Sequence, residues 1–195
     1  MPLSPIASGG LGAIVTSLGM TSRPPLRAIP MSDLRLERWK APAPYKYRTL
    51  YRRIGEPWLR FSRLEMDDAA LTAIIHDPDV RIWAVLDRRS IEVGILELDF
   101  REAGLCELAF LGLVPELAGK GHGKCLMAIA LQAGWAEPGV QRLWVHTCTL
   151  DGPGALSFYI KSGFVPYQRR IETFADPRLT GLIPRDAAPQ IPIID

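Results

Sequence analysis

A glycine-rich run with basic residues is the first feature of the sequence that could do chemistry. Three glycines alternate there with two lysines and a histidine: Gly119, Lys120, Gly121, His122, Gly123 and Lys124. Glycine lets the backbone approach a ligand without obstruction by a Cβ atom. Free amides and the dipole at the start of a helix attract anions, and the lysines add positive charge. The run therefore predicts a site for a phosphate group.

Two common phosphate motifs do not fit this run. A P-loop needs glycine at position 118 and serine or threonine at 125, where the chain has Ala118 and Cys125. A dinucleotide fingerprint that starts at Gly119 or Gly121 meets a lysine or a leucine in its last position. The run alone therefore leaves an ordinary glycine-rich loop as an alternative.

Two further residues could move protons. Glu107 is the one charged residue in the apolar run of residues 105–114. A carboxylate held partly out of water is a better base near neutral pH, so Glu107 is a candidate general base. The alternative is that Glu107 faces water on a half-exposed strand. Tyr159, which follows Phe158, carries a phenolic O–H, and its alternative role is core packing.

The elements that must position these residues follow from periodicity, caps and breaks. Strands are predicted at residues 34–39, 80–86, 91–100, 105–114, 142–149 and 164–174. Helices are predicted within residues 45–63, with an interruption near 55–57, and at residues 67–76, 123–137 and 151–163. The order β-αα-βββ-α-β-α-β predicts an α+β domain with a mixed, mostly antiparallel central sheet flanked by helices.

Composition limits the size of the domain and the kind of partner. The chain has 195 residues, 48% of them hydrophobic, and a formal charge of +2 from 23 basic and 21 acidic residues. We expect one domain at residues 31–174, a loose N-terminal arm at 1–30 and a Pro-rich tail at 175–195. The balanced charge argues against nucleic acid or an anionic membrane as partner. Small or peptide-like partners are expected instead.

The first thirty residues carry no targeting signal that we recognise. No charged side chain precedes Arg23, which argues against a signal peptide, and the Gly, Ser and Pro content argues against a membrane helix. Met20 and Met31 remain alternative starts of the native product. The tail has two alternatives, folding back on the domain or reaching a second subunit, so a homodimer stays among the expected assemblies.

The cysteines and histidines indicate neither a disulfide framework nor a metal site. Cys106, Cys125 and Cys148 occur singly, in apolar stretches and without a CxxC pair. Reduced, buried thiols are typical of a cytoplasmic protein. The three histidines lack paired ligand spacing, so no metal is expected.

Two motifs in order and spacing resemble the GCN5-related N-acetyltransferase (GNAT) family. Residues 107–116, the glycine run and Leu126 are similar to its strand, Q/R-x-x-G-x-G/A loop and helix. Residues 143–147 and the later A-L-S-F-Y and G-F segments, at 155–159 and 163–164, are similar to its next motif, A-x-x-F-Y-x-x-x-G-F. The resemblance covers about residues 34–174.

The resemblance implies an acetyl-CoA-dependent acetyltransferase with no metal. It implies transfer of the acetyl group to a primary amine of a small molecule or peptide by direct attack. Glu107 matches the family's glutamate base, which commonly acts through water, and Tyr159 matches its general acid. The main chain at Leu111 and Leu113 would contact the acetyl and pantetheine arm. The cofactor's pyrophosphate would lie on residues 118–124: Ala118, Gly119, Lys120, Gly121, His122, Gly123 and Lys124.

The resemblance also places the acceptor site under the helices after the first strand. There Glu56 would attract an amine and Trp58 would pack on its alkyl chain. Two positions depart from the family pattern: Ala118 replaces a Gln or Arg, and Gly152 replaces an Asn that contacts coenzyme A in many members. These departures keep a catalytically degenerate acyl-CoA-binding sensor or scaffold as an alternative. A nucleotide-binding module is disfavoured by the failed phosphate motifs.

Overall fold

Strands and helices alternate along the computed structural model, which describes residues 3–25 and 28–194. The strands are β1 (Gly10–Met20), β2 (Arg35–Arg38), β3 (Val80–Leu86), β4 (Glu92–Asp99), β5 (Leu105–Leu113), β6 (Arg142–Cys148) and β7 (Val165–Ala175). The helices are α1 (Pro44–Gly55), α2 (Ser62–Glu65), α3 (Asp68–Ile75), α4 (His122–Ala136) and α5 (Ala155–Lys161). Even α4, with 15 residues, falls short of a bilayer, and no helix in the described part of the chain could cross one.

Local signals in the sequence explain where several helices begin and end. The Asp67 carboxylate accepts a hydrogen bond of 2.7 Å from the Ala70 N–H and so caps α3. Gly163 follows α5 with φ +100°, a conformation that glycine adopts without strain. Helix α5 begins at Ala155, later than predicted, because the Ala155 N–H closes a turn onto the Gly152 carbonyl at 2.8 Å.

The seven strands form one sheet in the order β2-β3-β4-β5-β6-β1-β7. Every neighbouring pair is antiparallel except β5 and β6, which are parallel. One core cluster includes Tyr47, Leu71 and Ile95, and a second includes Leu18 and Leu96. The predicted α+β class, with a mostly antiparallel sheet flanked by helices, is confirmed.

Strand β1 corrects the expectation of a loose arm over residues 1–30. Gly10–Met20 lies between β6 and β7 and pairs antiparallel with both, and Leu18 is fully buried. Its glycines resemble turn signals, and its apolar run does not alternate with polar residues. A strand covered on both sides needs no such alternation, which is why the pattern hides it.

The Pro-rich tail folds back on the domain. Asp176 and Arg178 form a buried ion pair at 2.7 Å, and the Asp176 N–H donates to the Gly9 carbonyl at 2.9 Å. Ile183 is buried in one of the core clusters. The Gln190 side chain donates to the Pro57 carbonyl at 2.8 Å. Of the two alternatives for the tail, folding back is therefore the one found.

Candidate active site

The parallel strands β5 and β6 separate partway along their length. Their pairing runs from Leu105 opposite Arg142 to Glu107 opposite Trp144. β5 continues to Leu113 and pairs with β4 on its other side, whereas β6 pairs with β1. Within the described residues, the β6-facing edge of β5 after Glu107 therefore has no strand partner. Its main-chain groups are available to an extended ligand.

A β-bulge at Ala109 bends β5 where the two strands separate. Glu97 of β4 pairs with Phe110, and the next residue, Leu98, pairs with Leu108, so Ala109 is the extra residue. A bulge of this kind increases local twist and redirects the following side chains. The bend and the separation together open a gap in the sheet.

A cavity of about 170 Å³ lies in this gap. Its walls come from the end of α1 and the following turn, from β5 and β6, and from the start of α5. The residues are Ile54, Gly55, Trp58, Arg60, Leu108, Ala109, Phe110, Leu111, Gly112, Leu113, His146, Asp151, Gly152, Ala155 and Tyr159. Leu111, Leu113, Trp58 and Tyr159 thus lie around one cavity.

The glycine run follows the end of β5 and leads into α4. Gly119 and Gly121 have φ of +74° and +86°, and no atom lies within 4 Å of a Cβ built on either. Their glycine identity is therefore required by backbone conformation, not by space. Gly121 is the N-cap of α4 and makes no side-chain cap. The first amides of α4 are thus presented without a capping side chain, as an anion site requires.

Neighbouring segments hold the first turn of α4 in place. The His122 ring nitrogen Nδ1 lies 2.9 Å from Ser32 Oγ, in the segment after β1. A Cβ on Gly123 would lie 3.6 Å from the ring of Phe158, the neighbour of Tyr159. The glycine run is therefore connected both to the N-terminal segment and to α5.

The basic side chains of the run point to open space. Lys120 and Lys124 are exposed. Lys124 also lines a second cavity of about 570 Å³, together with Arg23 of the N-terminal segment and Lys161 of α5. Three cations thus border this second cavity, which suits an anionic group.

Glu107 lies beside His146 at the point where β5 and β6 separate. Its Oε1 is 3.3 Å from His146 Nδ1, and the two side chains are 22% and 41% exposed. His146 lines the cavity, but Glu107 is not part of its wall. The Trp144 ring packs against that of His146, with centroids 6.0 Å apart. The predicted base thus reaches the cavity across a histidine.

Tyr159 of α5 lies in the cavity wall and is otherwise buried. Burial raises the pKa of Tyr159 to about 12, with opposing contributions from Arg60, which lowers it, and Asp151, which raises it. Its ring contacts those of Phe158 and Phe164, at centroid distances of 5.6 and 6.1 Å. The phenol is therefore protonated at neutral pH and can donate a proton.

Arg60 and Asp151 form an ion pair in the cavity wall at 2.7 Å. Asp151 also accepts hydrogen bonds from Thr147 Oγ1 at 2.6 Å and from the Cys148 N–H at 3.1 Å. Burial alone lowers the pKa of Arg60, but Asp151 and nearby tyrosines raise it, and the net shift is upward. Arg60 therefore stays charged in the cavity wall.

The two predicted acceptor residues are placed differently. The Trp58 ring lines the cavity and lies 3.4 Å from where a Cβ on Gly152 would be. It thus fills space on the side of Gly152 where the family's Asn would project. Glu56 starts the 3-10 turn before Trp58 and is half-buried, outside the cavity wall.

The cysteines lack the features of a nucleophile. Burial raises the pKa of Cys106 to about 12 and also raises that of Cys125. Burial, followed by Asp151, raises the pKa of Cys148. A nucleophilic cysteine needs a thiolate, which these surroundings disfavour. Between residues 3–25 and 28–194, no cluster of three or more His, Cys, Asp or Glu side chains could hold a metal ion.

Three titratable residues of the cavity wall are not among the site residues that the sequence predicts: Arg60, His146 and Asp151. In the sequence, Asp151 indicates only the start of a helix, and His146 has no paired ligand spacing. Alternation along residues 142–148 does place His146 on the same face as Trp144. The register against β5, which brings Glu107 next to it, cannot be obtained from that pattern.

A sequence comparison defines the class of protein. The model of the acetyltransferase (GNAT) family matches residues 39–164, well over half of the chain. The protein therefore belongs to the acetyltransferase (GNAT) family, a family of acyltransferases. No curated protein matches the chain.

Solved structures share the fold at low sequence identity. A GCN5-related N-acetyltransferase from Sphaerobacter thermophilus has a TM-score of 0.60 and 14% identity, over 83% of this chain and 51% of that one. An aminoglycoside acetyltransferase from an uncultured soil metagenomic sample, in complex with sisomicin, has a TM-score of 0.52 and 20% sequence identity. The match covers 67% of this chain and 88% of that one. A mutant spermidine N-acetyltransferase from Vibrio cholerae has a TM-score of 0.54 and 20% sequence identity. The match covers 76% of this chain and 96% of that one. The chain spans 63% of a Staphylococcus epidermidis protein of unknown function and about half of the Sphaerobacter protein.

Proposed function

We propose that the protein transfers the acetyl group of acetyl-CoA to a primary amine of a small molecule or peptide. The observation that carries this proposal is the unpaired edge of β5, which borders the cavity that Tyr159 lines. An extended acyl-pantetheine arm can pair with that edge as a further strand would. The anionic end of the donor then lies toward the first turn of α4.

The residues around the glycine run fit the anionic part of acetyl-CoA. The positive φ values of Gly119 and Gly121 shape the loop, and the start of α4 has no side-chain cap. We assign the pyrophosphate to the main chain of residues 118–124, with Lys120 and Lys124 supplying positive charge. The cations around the second cavity, Lys124 and Lys161 among them, would bind the further phosphate on the adenosine.

The catalytic roles are assigned to Glu107 and Tyr159. Glu107 provides the basic function that the ammonium form of the acceptor requires before it can attack. Tyr159, whose pKa is raised to about 12, provides the proton for the departing sulfur. Main-chain N–H groups of β5 near Leu111 would hold the thioester oxygen as charge develops on it. The nitrogen attacks the acetyl carbon directly, without a covalent enzyme intermediate.

The acceptor is proposed to enter beside the turn after α1. Trp58 supplies an apolar surface for an alkyl chain, and Glu56 supplies a carboxylate next to it for a second cationic group. The structural relatives named for aminoglycosides and spermidine support amine-rich acceptors for this fold.

Ligand-dependent thermal unfolding tests the proposal. A ligand at about 100 times its dissociation constant adds roughly 2.7 kcal/mol to the free energy of unfolding. We expect such a gain with acetyl-CoA and none with ATP or NAD. Stabilisation by ATP alone would overturn the assignment. Thiol release measured over a panel of polyamines, aminoglycosides, amino acids and peptides then identifies the acceptor.

The alternative is a protein that binds acyl-CoA without turning it over. It is favoured by Ala118 and Gly152, which both depart from the family pattern. The same panel separates the two functions. Stabilisation by acetyl-CoA together with no thiol release above the buffer rate for any amine would select the sensor.

We propose that two copies associate through β7. This edge strand has 11 residues and is exposed along almost its whole length, and Ile171 is 79% exposed. An antiparallel pair centred on Ile171 places Arg170 opposite Glu172 of the partner subunit, twice by symmetry. Light scattering after gel filtration should give a dimer for the unaltered chain and a monomer for Ile171→Asp. The control Ile91→Asp, at another exposed isoleucine, should stay dimeric.

A reducing compartment is proposed for the protein, in line with a cytoplasmic location. Cys106 and Cys125 are buried and unpaired, and Cys148 is partly buried and unpaired. An oxidising compartment favours disulfides in a chain with several cysteines. Full labelling of all three thiols after denaturation of freshly purified protein would support this assignment.

A further inference from the structure

The cavity wall presents a histidine where the family pattern predicts a carboxylate. His146 lines the cavity, and the nearby Glu107 does not. Glu107 Oε1 lies 3.3 Å from Nδ1 of the same histidine. The imidazole of His146 therefore contacts both the cavity and the Glu107 carboxylate.

The strand register explains this contact. Glu107 lies opposite Trp144 in the parallel pair of β5 and β6. His146 is two residues beyond Trp144 and so shares its face of the sheet. Because the strands separate just after Glu107, the His146 side chain stands at the mouth of the gap, where no β5 side chain opposes it directly. Burial alternates along β6, with Val145 and Thr147 buried on the opposite face.

The ring has one nitrogen for each side. Nδ1 faces Glu107, so Nε2, on the far edge of the ring, is the nitrogen available to a ligand in the cavity. No hydrogen bond from the described part of the chain occupies Nε2. The side chain is 41% exposed, which gives its protons a route to solvent.

We infer that His146 is the group that removes the proton from the acceptor amine, with Glu107 as the positioning residue that holds the imidazole. The inference rests on the proposed acetyl transfer and replaces the water expected between Glu107 and the acceptor. The carboxylate fixes the tautomer with the proton on Nδ1 and stabilises the imidazolium that forms. The basic function of Glu107 is then exerted through His146.

Atoms and protons balance in this scheme. The ammonium gives one proton to Nε2 of His146, and the neutral nitrogen attacks the acetyl carbon. The C–N bond forms, the C–S bond breaks, and Tyr159 gives its phenolic proton to the sulfur. The second nitrogen proton returns to the Tyr159 oxygen. The imidazolium then releases its proton to solvent, so one proton is released for each acetyl group transferred.

The charged and titratable groups around His146 come from five parts of the fold. Glu107 lies on β5, and Arg60 lies in the turn after α1. Asp151 lies after β6, in an ion pair with Arg60, and Tyr159 lies on α5 with a raised pKa. The Arg60 and Asp151 charges offset each other, and Tyr159 is neutral. Arg170 of β7 donates to Ser17 Oγ at 3.5 Å, and Ser17 lies opposite His146 on β1. Glu107 is the charged group in direct contact with the ring.

The test compares three variants of the full chain with the best acceptor from the panel. We expect His146→Gln to lower kcat by about 100-fold or more, with the dissociation constant of acetyl-CoA unchanged. It should also remove the acid limb of the kcat profile against pH. Glu107→Gln should lower kcat but keep that limb, because the imidazole remains and only its carboxylate partner is lost. The control His76→Gln, at an exposed histidine outside the site, should match the unaltered enzyme.

Added imidazole provides a second readout that does not depend on the stability of one variant. His146→Ala should recover activity in proportion to the concentration of imidazole. Full activity of His146→Gln with the acid limb intact would overturn the inference and return the base to Glu107 through water. So would loss of the limb in Glu107→Gln. Failure of the proposed function is distinguishable, because the unaltered protein would then release no thiol from acetyl-CoA with any amine.

Discussion

Leu18 of β1 lies directly opposite Val145 of β6, and both side chains are buried. The pair joins a strand near the start of the chain to the strand that carries His146. Everything on one side of the cavity, from β6 to α5, is therefore supported by β1. The stability of the site depends on a segment that carries none of its chemistry.

Truncation of Leu18 should be strongly destabilising. Leu18→Ala removes a fully buried side chain, and we expect a loss of about 2–5 kcal/mol in the free energy of unfolding, measured by urea denaturation. Ile14→Ala, in the same strand but 48% exposed, should lose less than about 1 kcal/mol. Equal losses for the two variants would contradict the placement of β1.

A chain that starts at Met31 should not form the native sheet. It lacks β1, which leaves β6 and β7 without the partner that pairs with both. Two unpaired edges favour aggregation over folding. We expect no cooperative thermal transition, whereas a chain that starts at Leu3 should unfold like the full chain. Cooperative unfolding of the shorter chain would show that β1 is dispensable.

Tyr159→Phe should separate catalysis from packing. The ring stays in place, so acetyl-CoA binding should be unchanged, and loss of the proton donor should lower kcat by about 100-fold. Stopped-flow detection of released thiol measures this effect. If the chemical step keeps its full rate, the proton for the sulfur comes from another group.

The same variant should change the response of stability to alkali. Burial raises the pKa of Tyr159 from 10.0 to about 12 in the folded state. Stability from this group is therefore fully present below pH 10 and is lost as pH rises from 10 to about 12, by up to about 3 kcal/mol. Tyr47, whose pKa burial also raises, contributes in both proteins. The difference between the unaltered chain and Tyr159→Phe isolates the Tyr159 part.

Asp151→Asn should weaken the cavity wall. The change leaves Arg60 without its counter-ion, and we expect a loss of about 1–3 kcal/mol in the free energy of unfolding. The control is Asp33→Asn, which breaks an exposed ion pair with Arg88 and should cost less than about 0.5 kcal/mol. Chemical denaturation at neutral pH measures both. An Asp151 variant as stable as the Asp33 variant would contradict the role given to this pair.

Gly121→Ala should weaken acetyl-CoA binding in addition to straining the backbone. Gly121 has φ +86° with open space around it, so alanine adds strain of about 1–2 kcal/mol without a clash. Gly139, beyond the other end of α4, has φ +85° and the same open surroundings. Gly139→Ala should therefore lose about as much free energy of unfolding as Gly121→Ala. Calorimetry should show weaker acetyl-CoA binding for Gly121→Ala alone.

The sequence predicts most elements of this fold because their signals are local. Asp67 caps α3, Gly163 ends α5, and apolar runs mark the strands on either side of the gap. Strand β1 cannot be predicted from local sequence, because the strands that enclose it, β6 and β7, lie far along the chain. A local sequence pattern indicates only which secondary structure a segment prefers on its own. Contacts made in the folded domain can override that preference.

The candidate site also has some residues whose positions follow from sequence motifs and others that only the fold brings together. The glycine run and Tyr159 belong to motifs, so their positions follow from spacing. His146 belongs to no motif, and its contact with Glu107 depends on a parallel register and on the point where two strands separate. Arg60 and Asp151 meet across 91 positions of the chain. Such contacts form only in the folded protein, and the local sequence around either residue does not indicate them.

The insertion of β1 also sets an order on how the chain can fold during synthesis. Ile14 and Thr149, which meet in a hydrogen bond at 3.1 Å, are 135 residues apart along the chain. A ribosome that adds 5–20 residues per second takes roughly 7–30 s to make that stretch. Throughout that time an apolar, uncharged strand has left the ribosome without the two strands that will enclose it. Until β6 and β7 are made, the apolar β1 segment is therefore accessible to any chaperone that binds extended apolar segments.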